Sequence, residues 1–122
     1  MMERTSNYKK TVITRVTGEY RRFKEKMLKK SKEEIFDSAM EIFVYFEFQA
    51  FLVESFVKND DTFDVAYKCL YHEKGGILFQ LWQFYLKTEL ATVESGASTK
   101  DTILQYCKKY HRDLFEQGDK NE

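Results

Sequence analysis

Proline is absent from the 122 residues of this chain, and glycine occurs only five times. A protein of average composition, with roughly 5% proline, would contain about six prolines at this length. Because proline breaks helices and glycine weakens them, their scarcity favours long helices over short strands and tight hairpins. A chain of this length can bury one hydrophobic core without disulfides. The sequence therefore predicts an all-α protein, a single compact domain of four or five helices over residues 1–122, with residues 1–7 and 118–122 frayed.

Cysteine and long apolar segments are also scarce. The two cysteines, Cys69 and Cys107, are too few for a disulfide scaffold and are typical of a reducing compartment. The first residues contain no apolar core of a signal peptide. The longest apolar stretch, residues 42–53, contains Glu47 and Gln49 and is too short to cross a bilayer. We therefore expect a cytoplasmic protein that does not bind membranes.

The sequence contains no motif typical of catalysis or nucleotide binding. Gly75-Gly76 is not followed by the Lys-Ser or Lys-Thr that a phosphate-binding loop requires. A cysteine beside a histidine is a possible nucleophile, but no third group that would orient the histidine is evident. We therefore expect a protein that is not an enzyme.

The net charge of zero hides a strong segregation of charge along the chain. Residues 1–32 contain eleven Lys and Arg against three Glu, a net of +8. Residues 33–64 contain nine acids against one Lys, a net of −8, and the rest of the chain is balanced. Two oppositely charged helices are the simplest arrangement, and they would pair either within one chain or between two. We therefore expect a homo-oligomer.

Helical periodicity is clear at the start of the chain. Residues 8–30 carry an apolar residue at every third or fourth position, with Lys and Arg on the remaining surface, which predicts an amphipathic helix. Ser31 and Glu34 have the spacing of a capping box, so a second helix should start at Ser31. The apolar stripe of the first helix consists of Val12, Val16, Tyr20, Phe23 and Met27.

The second predicted helix is apolar over most of its circumference. A strand over residues 42–48 is the alternative, because this segment is rich in β-formers, but the cap and the long periodic run favour a helix. A helix that is apolar on all sides is usually buried, so we expect it to be the aromatic-rich centre of the domain. Its two stripes consist of Ile35, Ala39, Ile42, Phe46, Ala50, Val53 and Val57, and of Phe36, Met40, Phe43 and Phe51.

Turn and cap signals divide the rest of the chain into three further helices. Asn59-Asp60-Asp61 should start the third helix, and Gly75-Gly76 should end it. The fourth helix should span residues 77–93, followed by a loop at residues 94–97 and a cap at Ser98 for the last helix. The inward-facing residues should be Phe63, Tyr67 and Leu70, then Leu78, Leu81, Tyr85 and Thr88, and finally Ile103, Tyr106, Tyr110 and Leu114.

Short helix-patterning motifs occur along residues 15–107: Glu19-Tyr20-x-x-Phe23-Lys24-x-x-Met27-Leu28, Ser31-Lys32-Glu33-Glu34-Ile35-Phe36, Ala39-Met40-Glu41-Ile42, Leu81-Trp82-x-x-Tyr85-Leu86-Lys87-x-Glu89-Leu90 and Asp101-Thr102-Ile103. With these motifs the chain resembles a group of small, uncharacterised helical proteins from gut-type Firmicutes and their phages and mobile elements. It departs from them at residues 44–48, where Tyr45 and Phe46 stand in a region expected to be more charged. The resemblance implies a helical fold and a mobile-element setting, and it implies no activity.

Both cysteines lie about one helical turn from the only two histidines. Cys69-x-x-His72 and Cys107-x-x-x-His111 each place a thiol and an imidazole on one helix face. If the third and last helices touch, these four side chains would form a tetrahedral structural zinc site. The alternative is that the cysteines are small buried residues and the histidines are ordinary surface residues. We predict no other cofactor.

The segregated charge, the many aromatic residues and the lack of a catalytic motif favour a non-catalytic interaction protein. With the resemblance above, we expect it to be encoded by a phage or mobile element and to modulate a host protein or nucleoprotein, as anti-CRISPR and other anti-defence inhibitors do. The alternative is a nucleic-acid-binding regulator whose basic first helix contacts phosphates. Arg, Tyr and Trp dominate binding hot spots. The candidate partner-binding residues are therefore Arg15, Arg21, Arg22, Lys26, Lys29, Tyr45, Tyr71 and Trp82.

Overall fold

The described part of the chain forms seven helices and no strand, which confirms the predicted all-α class. The count exceeds the four or five predicted because two of the predicted helices are interrupted, at Ser38 and at His111. The computed structural model describes the backbone of residues 2–59, 63–91 and 99–120 and the side chains of residues 8–59, 63–87 and 99–116. The helices are α1 (Met2–Leu28), α2 (Lys32–Asp37), α3 (Ala39–Lys58), α4 (Asp64–Tyr71), α5 (Ile77–Ala91), α6 (Thr99–Tyr110) and α7 (Arg112–Lys120).

The apolar stripe of α1 packs against the rest of the domain, as its periodicity predicts. Val12 and Val16 are fully buried, and Met27 near the end of the helix is buried as well. The ring of Phe23 stacks on Tyr45 of α3, with the ring centroids 3.9 Å apart. Because the stripe is continuous over four turns, α1 lies along α3, α4 and α5 and ties them together.

The capping box at Ser31 is confirmed, but the helix that it starts is short. The Ser31 hydroxyl accepts a hydrogen bond from the Glu34 amide at 3.2 Å, and the Glu34 carboxylate accepts one from the Ser31 amide at 2.9 Å. This helix, α2, ends at Asp37, and α3 begins at Ala39 after a break at Ser38. No residue of α2 is buried, so packing does not hold the two helices in line. The prediction of one continuous helix is wrong at Ser38.

The hydrophobic core lies between the inner face of α3 and the helices α1, α4, α5 and α6. Phe63 and Tyr67 pack edge to face with ring centroids 5.5 Å apart, and the Tyr67 hydroxyl donates to the Leu52 carbonyl oxygen at 2.5 Å. Of the inward-facing residues predicted for α4 to α6, Tyr110 is exposed and Tyr85 is half-buried, and the side chain of Thr88 lies outside the described residues. The fully buried core residues are Val12, Val16, Leu52, Phe63, Ala66, Cys69, Leu70, Ile77, Leu78, Leu81, Ile103 and Cys107.

The central helix α3 is not buried on all sides, so that prediction is wrong. Contacts with α1, α4, α5 and α6 bury one side of it, whereas Met40, Phe43, Phe46 and Val57 on the opposite side are exposed. Much of the two apolar stripes therefore points to solvent instead of into the core. The side chains that α3 does bury are Val44, Tyr45, Phe48, Leu52 and Ser55.

Several predicted connections fall at least partly outside the described residues. Asn59 ends α3 in the left-handed conformation, with a φ of 56° and a ψ of 50°, as expected of a turn residue. The predicted cap residues Asp60 and Asp61, the loop at residues 94–97 and the cap at Ser98 lie outside the described residues.

α4 ends before the glycine pair. Its last residue is Tyr71, and the amide of His72 donates to the carbonyl oxygen of Cys69 at 3.1 Å. No described glycine has a positive φ, so the predicted glycine cap at Gly75-Gly76 is wrong.

Both ends of the described chain are helical. α1 starts at Met2 and α7 ends at Lys120, so these helices extend into the segments predicted to be frayed. None of the described helices is long and apolar enough to cross a membrane.

Candidate interaction surface

The outward face of α3 carries a row of apolar residues at alternating spacings of three and four. The row starts at Phe36 in α2 and ends at Val57, and each pair of steps adds up to seven residues. In a coiled coil, apolar residues with this spacing occupy the a and d positions that face the partner helix. We call this row the outer seam; it consists of Phe36, Ala39, Phe43, Phe46, Ala50, Val53 and Val57.

The large side chains of the outer seam lie on the surface. Phe36 is 81% exposed, Phe43 is 61% exposed and Val57 is 75% exposed. Phe46 is 46% exposed, and Met40 beside the seam is 60% exposed. Monomeric soluble proteins rarely expose a contiguous apolar patch of more than a few hundred Å². The exposed row is therefore a candidate contact surface.

A shallow groove runs beside the seam, where α1 approaches α2 and α3. Its volume is about 510 Å³. The Tyr20 ring of α1 packs against the Phe46 ring, with the centroids 6.1 Å apart. The groove adds a concave apolar surface in which a partner's side chain would fit. The residues that line it are Tyr20, Ile35, Phe36, Ala39, Ile42, Phe43 and Phe46.

Positive charge borders the side of the seam next to α1. The contact of Tyr20 with Phe46 marks the edge of α1 that faces the seam. Lys24 follows Tyr20 by one turn on the same face of α1, and Arg21 lies beside it toward solvent. Both side chains are exposed. We call Arg21 and Lys24 the basic rim.

Negative charge borders the opposite side of the seam. Phe51 packs on Phe63 with ring centroids 5.2 Å apart, and it lies about 140° around α3 from Phe46, the residue that contacts α1. Glu47 precedes Phe51 by four residues and Glu54 follows it by three, so both glutamates lie on the same flank of α3 as Phe51. Glu54 is exposed and forms an ion pair with Lys58 at 3.3 Å, and Glu47 is half-buried. We call Glu47 and Glu54 the acidic rim.

The basic first helix forms a single described ion pair with the acidic segment that follows it, at the last residue of that segment. Among the described residues, α1 forms one ion pair, between Lys9 and Asp64 of α4, and none with α2 or α3. Of the two pairings considered from the sequence, the one within the chain is therefore limited, among the described residues, to this one ion pair. The charges of the basic rim face solvent.

The predicted partner-binding residues divide into an exposed and a buried group. Tyr45 and Trp82 are buried and stack on Phe23 and Tyr85, so the prediction that they are exposed contacts is wrong. Arg15 is half-buried and donates to the carbonyl oxygen of Gly75 at 2.8 Å, so it holds the turn before α5. The exposed members are Arg21, Arg22, Lys26, Lys29 and Tyr71.

The two cysteines meet in the core, because α4 and α6 pack together. Both thiols are fully buried and free, and Cys69 lies 3.9 Å from the carbonyl oxygen of His111. Cys107 lies 3.9 Å from the carbonyl oxygen of Ala66. The hydrogen bond between the thiols lowers the pKa of Cys69, and the same bond together with burial raises the pKa of Cys107. Because both side chains are fully buried, solvent does not reach the two thiols.

The two histidines do not join these thiols. The Nε2 atom of His111 lies 3.0 Å from a carboxylate oxygen of Glu73, and the Tyr106 hydroxyl donates to the same oxygen. Burial and the hydrogen bond to this carboxylate raise the pKa of Tyr106. His72 is exposed and packs edge to face on Tyr71. The described residues contain no group of three or more side chains that could hold a metal ion.

Sequence reasoning interpreted the outer seam as core and did not single out Glu73. The alternating spacing of three and four was the available signal for the seam, whereas nothing in the local sequence places Glu73 beside Tyr106 and His111. Comparisons with protein-family models, with curated proteins and with solved structures returned no match. Function is therefore inferred from the surface of this chain.

Proposed function

We propose that this chain is a non-catalytic interaction protein that docks to another protein through the outer seam. The observation that supports this proposal is the exposure of three phenylalanines, Phe36, Phe43 and Phe46, along one helical row. Interfaces are enriched in aromatic residues, whose burial provides much of the free energy of binding. Within α3 the row from Ala39 to Val57 spans about 27 Å, at 1.5 Å per helical residue, which matches the footprint of a partner helix.

The shape of the surface favours a protein over a small molecule as the ligand. Small-molecule sites are enclosed pockets in which a few polar groups fix the ligand's orientation. The groove beside the seam is open, and Tyr20 supplies the only polar side-chain group among its lining residues. An extended apolar surface of this kind suits a helix laid along it.

The setting that we propose rests on the resemblance described above. A chain encoded by a phage or mobile element gains from binding a host protein or nucleoprotein and changing its activity. The buried cluster of Glu73, Tyr106 and His111 joins α4 to the junction of α6 and α7. We infer that this cluster stabilises the fold and that the chain performs no catalysis.

Site-specific photocrosslinking tests the docking surface. A photoreactive phenylalanine analogue replaces Phe43 in the seam or, as the matched control, Phe79 on α5, which is 49% exposed and lies outside the seam. We expect a covalent protein adduct from position 43 and none from position 79 after irradiation in the native host cell. Equal adduct formation from both positions, or none from either, would overturn the proposal.

A second candidate function, nucleic-acid binding, is favoured by the solvent side of α1. Arg22, Lys26 and Lys29 are exposed at spacings of four and three, and none pairs with an acid among the described residues. Clustered cations of this kind neutralise phosphates and release counterions. Charge reversal of Arg22 and Lys26 should then abolish a gel shift of DNA or RNA at low salt.

The control for this experiment is charge reversal of Lys108 and Lys109, which are exposed on α6. If both variants and the wild-type protein leave nucleic-acid mobility unchanged at low salt, this second function is excluded.

A further inference from the structure

We propose that the outer seam binds a second copy of this chain, with the two α3 helices packed in parallel across a two-fold axis. The inference rests on the proposed function, that the seam is a protein-docking surface, and it names the occupant. Three observations point to a second copy: the heptad spacing of the seam, its exposed area and the opposite charges on its two rims.

The heptad spacing is the first observation. An a/d row packs knobs into holes against a helix that carries the same row, so the seam is complementary to itself. α3 has a second apolar face of Val44, Phe48 and Leu52, which is already buried in its own domain. Only the seam is left to pair, and a second copy would bury the helix on all sides. A dimer would therefore bury the apolar residues that the sequence places on all sides of this helix.

The exposed area is the second observation. An aromatic side chain carries about 150–250 Å² of surface, so the exposed parts of Phe36, Phe43 and Phe46 amount to roughly 400 Å². Met40 and Val57 raise the apolar area to on the order of 600 Å² per copy. A stable interface buries about 800 Å² on each partner. The seam therefore supplies most of the area that a dimer needs, and the rims border it.

The charged rims decide the direction of packing. A two-fold axis parallel to α3 places the basic rim of one copy, Arg21 and Lys24, against the acidic rim of the other, Glu47 and Glu54. An axis perpendicular to α3 gives antiparallel helices. The basic rim of one copy then lies against the basic rim of the other, and the acidic rim against the acidic rim. Opposite charges attract, and like charges brought together repel, so the parallel arrangement is favoured. It also supplies a pairing between chains, one of the two arrangements that the segregated charge allows.

The first test is the mass of the purified full chain in solution, measured by sedimentation velocity. We expect the mass of two chains for the wild-type protein and of one chain for Phe43→Glu, which places a charge in the seam. The Phe43 side chain is largely exposed, so this variant should keep the helical circular dichroism and the thermal unfolding of the domain. Phe79→Glu, the matched control outside the seam, should remain a dimer. A monomeric wild-type protein at high micromolar concentration would overturn the proposal.

A charge-swap experiment tests the parallel geometry. The double variants Arg21→Glu/Lys24→Glu and Glu47→Lys/Glu54→Lys should each dimerise at least tenfold more weakly, because each brings like charges together at both rims. A mixture of the two should form a heterodimer, since every rim contact is again between opposite charges. Antiparallel packing would also favour the mixture, but it predicts that neither variant alone dimerises more weakly than the wild-type protein, because like charges already meet at both rims there. Unweakened dimerisation of both variants would therefore overturn the parallel arrangement. Failure of the mixture to associate more tightly than either variant alone would overturn the parallel arrangement.

Disulfide crosslinking tests independently whether the two α3 helices are parallel or antiparallel. The two single variants are Ala39→Cys and Val57→Cys. Their positions lie about 27 Å apart along α3. In parallel packing each residue faces the same residue of the other copy, so each variant alone should form a disulfide-linked dimer. In antiparallel packing residue 39 of one copy would face residue 57 of the other, so a disulfide would form only in a mixture of the two variants. The native thiols of Cys69 and Cys107 are fully buried and do not compete.

The photocrosslink at Phe43 separates failure of this inference from failure of the proposed function. An adduct with the mass of two chains supports the second copy. An adduct with a different protein only, and no two-chain product, overturns the second copy but leaves the docking function standing. No adduct of any kind overturns both.

Discussion

The Glu19 carboxylate on α1 accepts a hydrogen bond from the backbone amide of Leu78 at the start of α5, at 2.8 Å. Its other oxygen accepts from the amide of Ile77 at 3.1 Å. The first amides of a helix have no partner within the helix, and a negative charge beside them interacts favourably with the helix dipole. Glu19 therefore caps a helix that lies 59 residues further along the chain.

Replacement of Glu19 by Ala should destabilise the domain, because two amides at the start of α5 lose their acceptor. We expect the free energy of unfolding to fall by about 1–3 kcal/mol. Urea denaturation followed by circular dichroism measures the change. Glu25→Ala, an exposed position on the same helix, is the control and should change the stability by less than about 0.5 kcal/mol. Equal effects of the two substitutions would contradict the capping role.

Much of the fold could be predicted because it is encoded locally. The stripe of Val12 and Val16 has a helical period, and the Ser31 cap depends on a residue three positions away. The break at Ser38 could not be predicted, because the apolar stripes of the sequence continue through this position without interruption. The cap by Glu19 could not be predicted either, since its donors are distant in the sequence.

The apolar residues of the candidate site were recognised in the sequence, but they were predicted to be buried in the core and most of them are exposed. Periodicity shows that α3 is apolar all round, and it does not show which face the domain itself covers. The neighbours of α3 cover the face of Val44, Phe48 and Leu52, so Phe43 and Val57 are left outside. Burial of Tyr45 has the same cause, because it faces Phe23 of α1.

The domain should lose stability in alkaline solution through Tyr45. Burial, followed by the charges of Glu41 and Glu19, raises the pKa of Tyr45 to about 12. An unfolded tyrosine ionises near pH 10. The folded state thus favours the neutral phenol, so its contribution to stability is complete below about pH 10 and is lost as the pH rises toward about 12.

The substitution Tyr45→Phe should therefore flatten the decline in stability between about pH 9.5 and pH 12. Urea denaturation at intervals across this range measures the slope. The control is Tyr110→Phe, because Tyr110 is 47% exposed. Tyr45→Phe with an unchanged slope would show that the phenol of Tyr45 is not protected in the folded protein.

The carboxylate of Glu73 should be needed to hold the junction of α6 and α7 against α4. Glu73→Ala leaves the buried Tyr106 hydroxyl and the ring of His111 without their acceptor, so we expect a loss of about 1–3 kcal/mol in the free energy of unfolding. Glu73→Gln keeps one oxygen acceptor and should lose less. Thermal unfolding ranks the variants, with the exposed Asp113→Ala as control. Equal melting temperatures for Glu73→Ala and the wild-type protein would contradict this role.

The pair of thiols should not hold zinc in the folded protein. The Nε2 atom of His111 is engaged by Glu73, and His72 is exposed beside Tyr71, so neither imidazole is placed to complete a tetrahedral set with Cys69 and Cys107. Native mass spectrometry of protein purified without a histidine tag or chelator should show a chain mass with no metal increment. A mass increment of one zinc per chain, lost together with thermal stability when a chelator is added, would contradict this prediction.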